Sequence, residues 1–229
     1  KTLEEPPNHV IFILATTEMH KLPETIISRC QQFTFRQPGL DELRTVIARV
    51  AKHEGRKLEP AATDLVALLG DGSYRDALGA LQQVFGATAD KTITAGLVAS
   101  VRGAPPAELV SQFIEGLFGQ DAEKSLTAIQ RAADGHRDPR VFLKLVMRLV
   151  RYGMFLKFSP TVGQELVAPL GETERQFVEA LAARPESASL SLILRELLVT
   201  YDELGRSYIP ELPLELAVLR IIGLLAKHV

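Results

Sequence analysis

The chain has 229 residues, 46% hydrophobic and 24% charged, with a formal net charge of −2 and a single cysteine. This predicts a globular protein of one large or roughly two to three small domains. It excludes a global basic field, an intrachain disulfide framework and a zinc site built on several cysteines. A lone thiol suits a reducing compartment, so a cytoplasmic location is expected. No apolar run approaches the roughly 20 residues that span a bilayer. The opening "KTLEEPPNHV" has no signal-peptide pattern and does not start with Met. It reads as the last turn of a helix halted by Pro6 and Pro7, in the interior of a longer gene product.

Next comes "HVIFILATT", His9 to Thr17. Continuous apolarity predicts a strand covered on both faces, as in a parallel sheet, against the alternative of a core helix. "KLPETIISRC" predicts a short helix with Pro23 near its start, and "QQFTFRQP" a short strand bearing Phe33 and Phe35. Together they suggest the closing strands of a doubly wound sheet. From Leu40 the period turns helical, with Leu40, Leu43, Val46, Ile47 and Val50 on one face, Asp41 placed as a cap and Gly55 after the end. Two more helices follow, parted by "GDGS", and then a short one at "TAGLVASV". Gly103, Pro105 and Pro106 break the pattern and predict a hinge.

The rest is helical by pattern, over about Pro106 to Phe118, Ala122 to Ala133, Pro139 to Phe158, Glu172 to Ala183, Ser187 to Tyr208 and Leu212 to His228. The helix starting at Pro139 is apolar over much of its girth. That leaves two readings open, burial against partner chains or a well-packed bundle.

Three places carry candidate chemistry. Arg29 stands at a helix end just before a strand, where a planar, permanently charged guanidinium could be held toward a phosphate on a neighbouring subunit. The plain alternative is a surface arginine favoured by the helix dipole. Its neighbour Cys30 has no nucleophile context, and His9, His20, His53, His136 and His228 show no ligand spacing, so Cys30 is assigned to packing. Thr16 and Thr17 end the apolar strand, where α/β sheets bind ligands, although such hydroxyls are also turn formers. In "GSYRDAL" Ser73 can cap a helix whose first turn holds Arg75, a cation placed against the dipole and therefore in need of an anionic partner. That partner is either a local carboxylate, Asp71 or Asp76, or a nucleotide phosphate.

The order "ATT", "KLPETIISRC", "GSYRDAL" resembles the sensor 1, arginine-finger and sensor 2 series of the AAA+ clamp loaders, closest to their bacterial gamma/tau branch. The likeness is strong from Lys1 to about Phe85 and looser to the ending "YDELGRSYIPELPLELAVLRII". It implies a mostly α chain: the C-terminal remnant of an AAA+ α/β nucleotide domain over 1–39, a helical lid over 40–102 and an all-α collar for oligomerisation over 103–229. By the same likeness Thr17 matches sensor 1 with Thr16 beside it. Arg29 matches the finger acting in trans on a neighbour's ATP, and Arg75 the sensor 2 arginine that contacts the chain's own nucleotide.

The resemblance also implies ATP with Mg²⁺ as cofactor in the complete assembly. In the family the phosphate loop, the acidic Mg²⁺ motif and a cysteine-rich zinc module precede the equivalent of "KTLEEPP". No G-x-x-x-x-G-K-[ST] occurs in this sequence, so the stretch by itself is expected to be inactive. Implied partners are other clamp-loader subunits through the collar, the sliding clamp and primer-template DNA, in a hetero-oligomer that loads the clamp, and no membrane. The competing reading is a non-catalytic scaffold subunit of delta-prime type that supplies only the finger. "RDAL" argues against it, because a chain without its own nucleotide has no use for Arg75. A Holliday-junction helicase would end in a strand-rich winged helix, a pattern this sequence does not show.

Overall fold

A computed structural model of the chain describes residues 7–184 and 189–226. It divides into two compact units, Lys1–Gln37 and Pro38–Val229. In the first, a 3-10 turn at Met19–Lys21 precedes the short helix α1, Glu24–Ile27, which Pro23 leads into. The strands expected over His9–Thr17 and residues 31–38 do not form, since among the described residues of this unit there is no strand. A strand exists only through a hydrogen-bonded ladder with a neighbour, and this apolar run has none within the unit. Ile11 and Ile13 are each 88% exposed, and Phe35 93%. The helical turn expected at the start of the chain falls on residues 1–6, outside the described residues.

The second unit begins with α2, Leu40–His53. Its N-cap is Gly39, whose N–H donates to the Glu42 carboxylate at 2.8 Å. Asp41, expected as the cap, lies inside the first turn and pairs with Arg44 at 2.7 Å. Three carboxylate-bearing or glycine positions therefore share the work of one helix start, and the longer Glu side chain reaches back where Asp cannot. Of the anticipated face, Leu43 and Ile47 are buried, Val46 and Val50 half-buried and Leu40 exposed. Gly55 follows the end with φ +67°, a left-handed conformation that glycine adopts without a Cβ penalty.

Helix α3, Pro60–Leu69, and helix α4, Tyr74–Ala87, flank the "GDGS" turn, and α5 covers Ala95–Val101. Two short strands, β1 at Lys57–Leu58 and β2 at Thr92–Ile93, pair in parallel with Leu58 opposite Ile93. They tie the entry of α3 to the entry of α5.

Five residues later α6, Ala107–Phe118, packs on α7, Ala122–Asp134, and both pack on later helices. Helix α8, Pro139–Phe158, starts on Asp138, whose carboxylate accepts from the N–H groups of Arg140 at 2.8 Å and Val141 at 3.3 Å. Proline at N1 loses no hydrogen bond there. α8 is the hub, surrounded by α6, by α9 (Pro160–Val167), by α10 (Glu172–Ala183) and by α11 (Leu190–Glu203). Helix α12, Leu212–Leu225, closes the bundle on α7 and α11. At its centre Phe113 and Phe142 meet edge to face with centroids 5.3 Å apart. Each fully buried side chain of that size contributes about 1.5–3 kcal/mol by leaving water.

The wide apolar girth of α8 is thus consumed within the bundle, from Val141 round to Tyr152. Exposed apolar side chains lie at the end of α8, at Phe158, on α9, at Val162, on α11, at Leu198 and Val199, and on α12, at Leu216 and Leu219. Helix α9 had no counterpart in the sequence pattern. Gly163 explains its docking, because a Cβ there would sit 2.6 Å from the backbone nitrogen of Leu156 in α8. The helix expected over Ser187 to Tyr208 ends at Glu203. Its expected start, like Lys227 and His228 of the last expected helix, falls outside the described residues.

Candidate functional site

The candidate residues fall in both units. In the first, Thr16 and Thr17 lie in a bend leading to the 3-10 turn rather than at the end of a strand. The Thr16 hydroxyl oxygen accepts from the N–H of Glu18 at 2.9 Å, a turn-forming bond, and Thr17 is exposed. The hydroxyl-as-turn-former reading describes Thr16 here, because without a ladder there is no strand edge from which to present it. Arg29 follows α1, exposed, with Nη1 donating to the carbonyl of Thr25 at 2.6 Å, one turn earlier. Its own backbone N–H closes that turn on Ile26 at 3.2 Å. Cys30 is a half-buried free thiol.

Arg75 belongs to the second unit. Ser73 caps α4, its hydroxyl accepting from the N–H of Asp76 at 3.3 Å, so Tyr74 and Arg75 occupy the first two helical positions. The local turn is enforced by two successive left-handed residues, Asp71 at φ +52° and Gly72 at φ +72°. Asp is among the few residues with a Cβ that tolerate that conformation. Arg75 lines an open cleft of about 710 Å³ together with Asp71, Asp76, Gln83, Arg102 and Lys144.

Among the described residues no ion pair reaches the Arg75 guanidinium. Of the two local carboxylates, Asp71 is engaged by other helices, and Asp76 makes no ion pair among the described residues. Asp71 pairs with Lys144 of α8 at 3.2 Å and accepts from the Tyr201 hydroxyl of α11 at 3.0 Å. Asp76 contributes its N–H to the cap. Arg102 turns one guanidinium nitrogen to Gln83, while its buried Nε has no partner among the described residues. The cleft therefore combines a helix N-terminus with a cation left over, which is a disposition for an anion.

Neither Arg102 nor Lys144 was singled out from sequence. The available signal for Lys144 was its place, with Arg148, in the otherwise apolar run "VFLKLVMRLV", since a charge inside such a helix needs a partner. Arg148 finds one in Glu174 of α10 at 2.8 Å. Among the described residues no three His, Cys, Asp or Glu side chains gather closely enough to hold a metal ion, and no helix is long and apolar enough to cross a membrane.

The family model described as DNA polymerase III subunits gamma and tau domain III matches residues 93–227, more than half of the chain. The chain belongs to the DNA polymerase III gamma and tau family. Residues 1–39 of this family member match a second model, described as DNA polymerase III, delta subunit. The chain is 31% identical over 222 residues to the DNA polymerase III subunit gamma/tau of Mycobacterium tuberculosis, covering 97% of this chain and 38% of that protein. It is 29% identical over 224 residues to the tau subunit of Escherichia coli, covering 97% of this chain and 34% of that one. The chain thus spans little more than a third of these curated relatives. A solved structure, the Bacillus subtilis DNA clamp loader delta protein, matches 97% of this chain and 69% of its own at 17% identity and a TM-score of 0.43.

Proposed function

We propose that this gamma/tau-family chain serves in an ATP-driven clamp loader, a ring of subunits that places a sliding clamp on primer-template DNA. The observation that carries the reading is Arg75: a cation in the first turn of α4, against the helix dipole, in an open cleft, with no ion pair among the described residues. A nucleotide phosphate is the partner such a group suits. The residues fit ATP at this point in charge and donor type, with Arg75 as the phosphate contact. Bound there, ATP would supply the phosphoanhydride whose state drives the ring. The described residues offer Mg²⁺ and zinc no ligand cluster.

In this reading Arg29 reaches the ATP of an adjacent subunit and neutralises charge developing on the transferred phosphoryl group, while Thr17 with Thr16 lies near the chain's own nucleotide. The exposed short helix before Arg29 and its bond to Thr25 keep the guanidinium at the surface of its unit, which suits action in trans. Other subunits would dock on the collar helices, whose α11 and α12 keep apolar side chains outside.

The test is ATP turnover by the complex assembled with the full-length chain. Arg29→Ala should leave assembly intact and lower turnover by about 10³ to 10⁵, the scale of an arginine supplied in trans; undiminished turnover removes the finger assignment.

A second reading is favoured by the delta-subunit model that matches residues 1–39. It is a scaffold that lends an arginine finger and binds no nucleotide itself. Calorimetric titration of the full-length chain with ATP separates the two, because only the motor reading expects binding that Arg75→Ala weakens.

A further inference from the structure

The turn that presents Arg75 is held by residues far away in sequence. Asp71 stands four positions before Arg75, in the left-handed pair that sends the chain into α4. Its carboxylate is shared between two later helices. Oδ1 faces Nζ of Lys144 at 3.2 Å, and Oδ2 accepts from the Tyr201 hydroxyl at 3.0 Å, across 130 positions of sequence.

The three groups also close on one another, for Lys144 Nζ lies 5.8 Å from the centroid of the Tyr201 ring. Arg140, one turn earlier on the same face of α8, also approaches the ring, with its guanidinium 5.9 Å from the centroid and donating to the carbonyl of Leu204 at 2.7 Å. The Lys144 side chain is 14% exposed and the Asp71 side chain 59%, so solvent screens the pair from the Asp71 side and its role is to fix geometry more than to add stability. Burial, opposed by the charge of Lys144 and aided by the bond to Asp71, holds the Tyr201 hydroxyl above its ordinary pKa, so it remains a donor.

The turn itself transmits this fixation. A Cβ on Gly70 would stand 2.6 Å from the Cβ of Ala77, so the end of α3 and the first turns of α4 touch without slack. Ser73 closes the turn from its N–H to the Gly70 carbonyl at 2.8 Å. Moving Asp71 therefore moves the start of α4, and with it the point from which Arg75 projects.

We infer that Asp71, Lys144 and Tyr201 form a clamp that positions Arg75, so that the helices α8 and α11 set the affinity of the cleft for a nucleotide phosphate. The clamp rests on the reading of Arg75 as a phosphate ligand, and none of its three members needs to touch the nucleotide. Lys144 is paired with Asp71, and the Tyr201 hydroxyl acts through that same carboxylate. A rearrangement of the helical bundle that pulled Lys144 and Tyr201 from Asp71 would loosen nucleotide binding without altering any ligand-contacting residue.

The experiment is a double-mutant cycle on the full-length chain, read as the calorimetric affinity for the slowly hydrolysed analogue ATPγS. Tyr201→Phe, which removes one oxygen and retains the ring, and Lys144→Met should each weaken binding about three- to tenfold, within the range of couplings inside one network. Lys144→Arg, which keeps the pair with Asp71, should restore most of the loss. In an Arg75→Ala background the same two substitutions should cost nothing further, an outcome that a general loss of stability would not produce.

Losses that add in full to that of Arg75→Ala overturn the clamp, because the two residues then act without Arg75. Native affinity in both single variants overturns it as well, and leaves the reading of Arg75 standing if Arg75→Ala still weakens binding. Native affinity in Arg75→Ala removes that reading and the clamp together.

Discussion

Gly116 gives a sharp test of how the helices of the bundle are seated. It lies in α6 facing the start of α7, and a Cβ built on it would meet the Ser125 side chain, stand 2.8 Å from the Ser125 nitrogen and 2.9 Å from the Asp121 carbonyl oxygen. The last two are backbone atoms at the N-terminus of α7, so neither can turn aside, and only a shift of the helix as a whole makes room. Gly116→Ala also disturbs the buried bond in which the Ser125 hydroxyl donates to the Phe113 carbonyl at 3.1 Å.

Overpacking of this kind costs about 1–3 kcal/mol, and rigid backbone on the receiving side places it near the top of that range. Replacing a mid-helix glycine by alanine returns about 1 kcal/mol of helix propensity. The net expectation is a loss of about 2 kcal/mol, or a fall in melting temperature of about 4–8 °C for a chain of this size. Gly79→Ala in α4 is the control, since a Cβ there meets nothing within 4 Å. It should raise the melting temperature by about 2–4 °C through propensity alone. Thermal unfolding followed by circular dichroism reads both, and a Gly116→Ala protein as stable as the native chain would refute the close seating of α6 on α7.

Further expectations concern other links. Glu203 receives two bonds from Arg220, at 3.1 Å and 2.9 Å, and Arg220 holds its carboxyl below the ordinary carboxylate range. A depressed folded-state value means stability that is present above the unfolded carboxylate pKa, about 4.3, and is lost as pH falls through the folded one. Glu203→Gln should therefore flatten the acid-side decline in melting temperature below about pH 4.3, and identical acid profiles would show the pair has no such role. Phe142→Ala, emptying the centre where Phe142 meets Phe113, should cost about 3–5 kcal/mol in urea unfolding; a cost under about 1 kcal/mol would mean the core is not seated on this pair. Arg44 bridges Asp41 in its own helix and Asp64 in α3, each at 2.7 Å. The Asp64 side chain is only 12% exposed, so Arg44→Met leaves its carboxylate without that partner and should cost about 1–3 kcal/mol, and an unchanged stability in the same assay would show that the bridge between α2 and α3 contributes nothing.

Much of the helical part was legible from sequence because its determinants lie within one or two turns. Ser73 caps α4, Gly55 turns left-handed after α2, and Pro139 starts α8, each reading requiring only neighbours in the chain. The misplaced cap of α2 was a choice between Gly39 with Glu42 and Asp41, settled by side-chain reach. Arg75 was likewise visible, because a cation against the dipole is a local conflict. Its surroundings were not, because Lys144 and Arg102 arrive in the cleft from other helices.

By itself, then, the sequence determined a mostly helical chain, the places where most helices begin, and the position of Arg75 as a cation set against a helix dipole. Tertiary structure alone decided the rest. "HVIFILATT" has strand composition, but a strand needs a neighbour's backbone and finds none within its unit, so Thr16 serves a turn. Helix α9 is short, and it sits where Gly163 lets two backbones nearly touch. The β1–β2 pair joins residues that only folding brings side by side. Above all, Asp71 meets Tyr201 across 130 positions, because hydrogen bonds and ion pairs depend on distance in space, and periodicity along the chain carries no record of it.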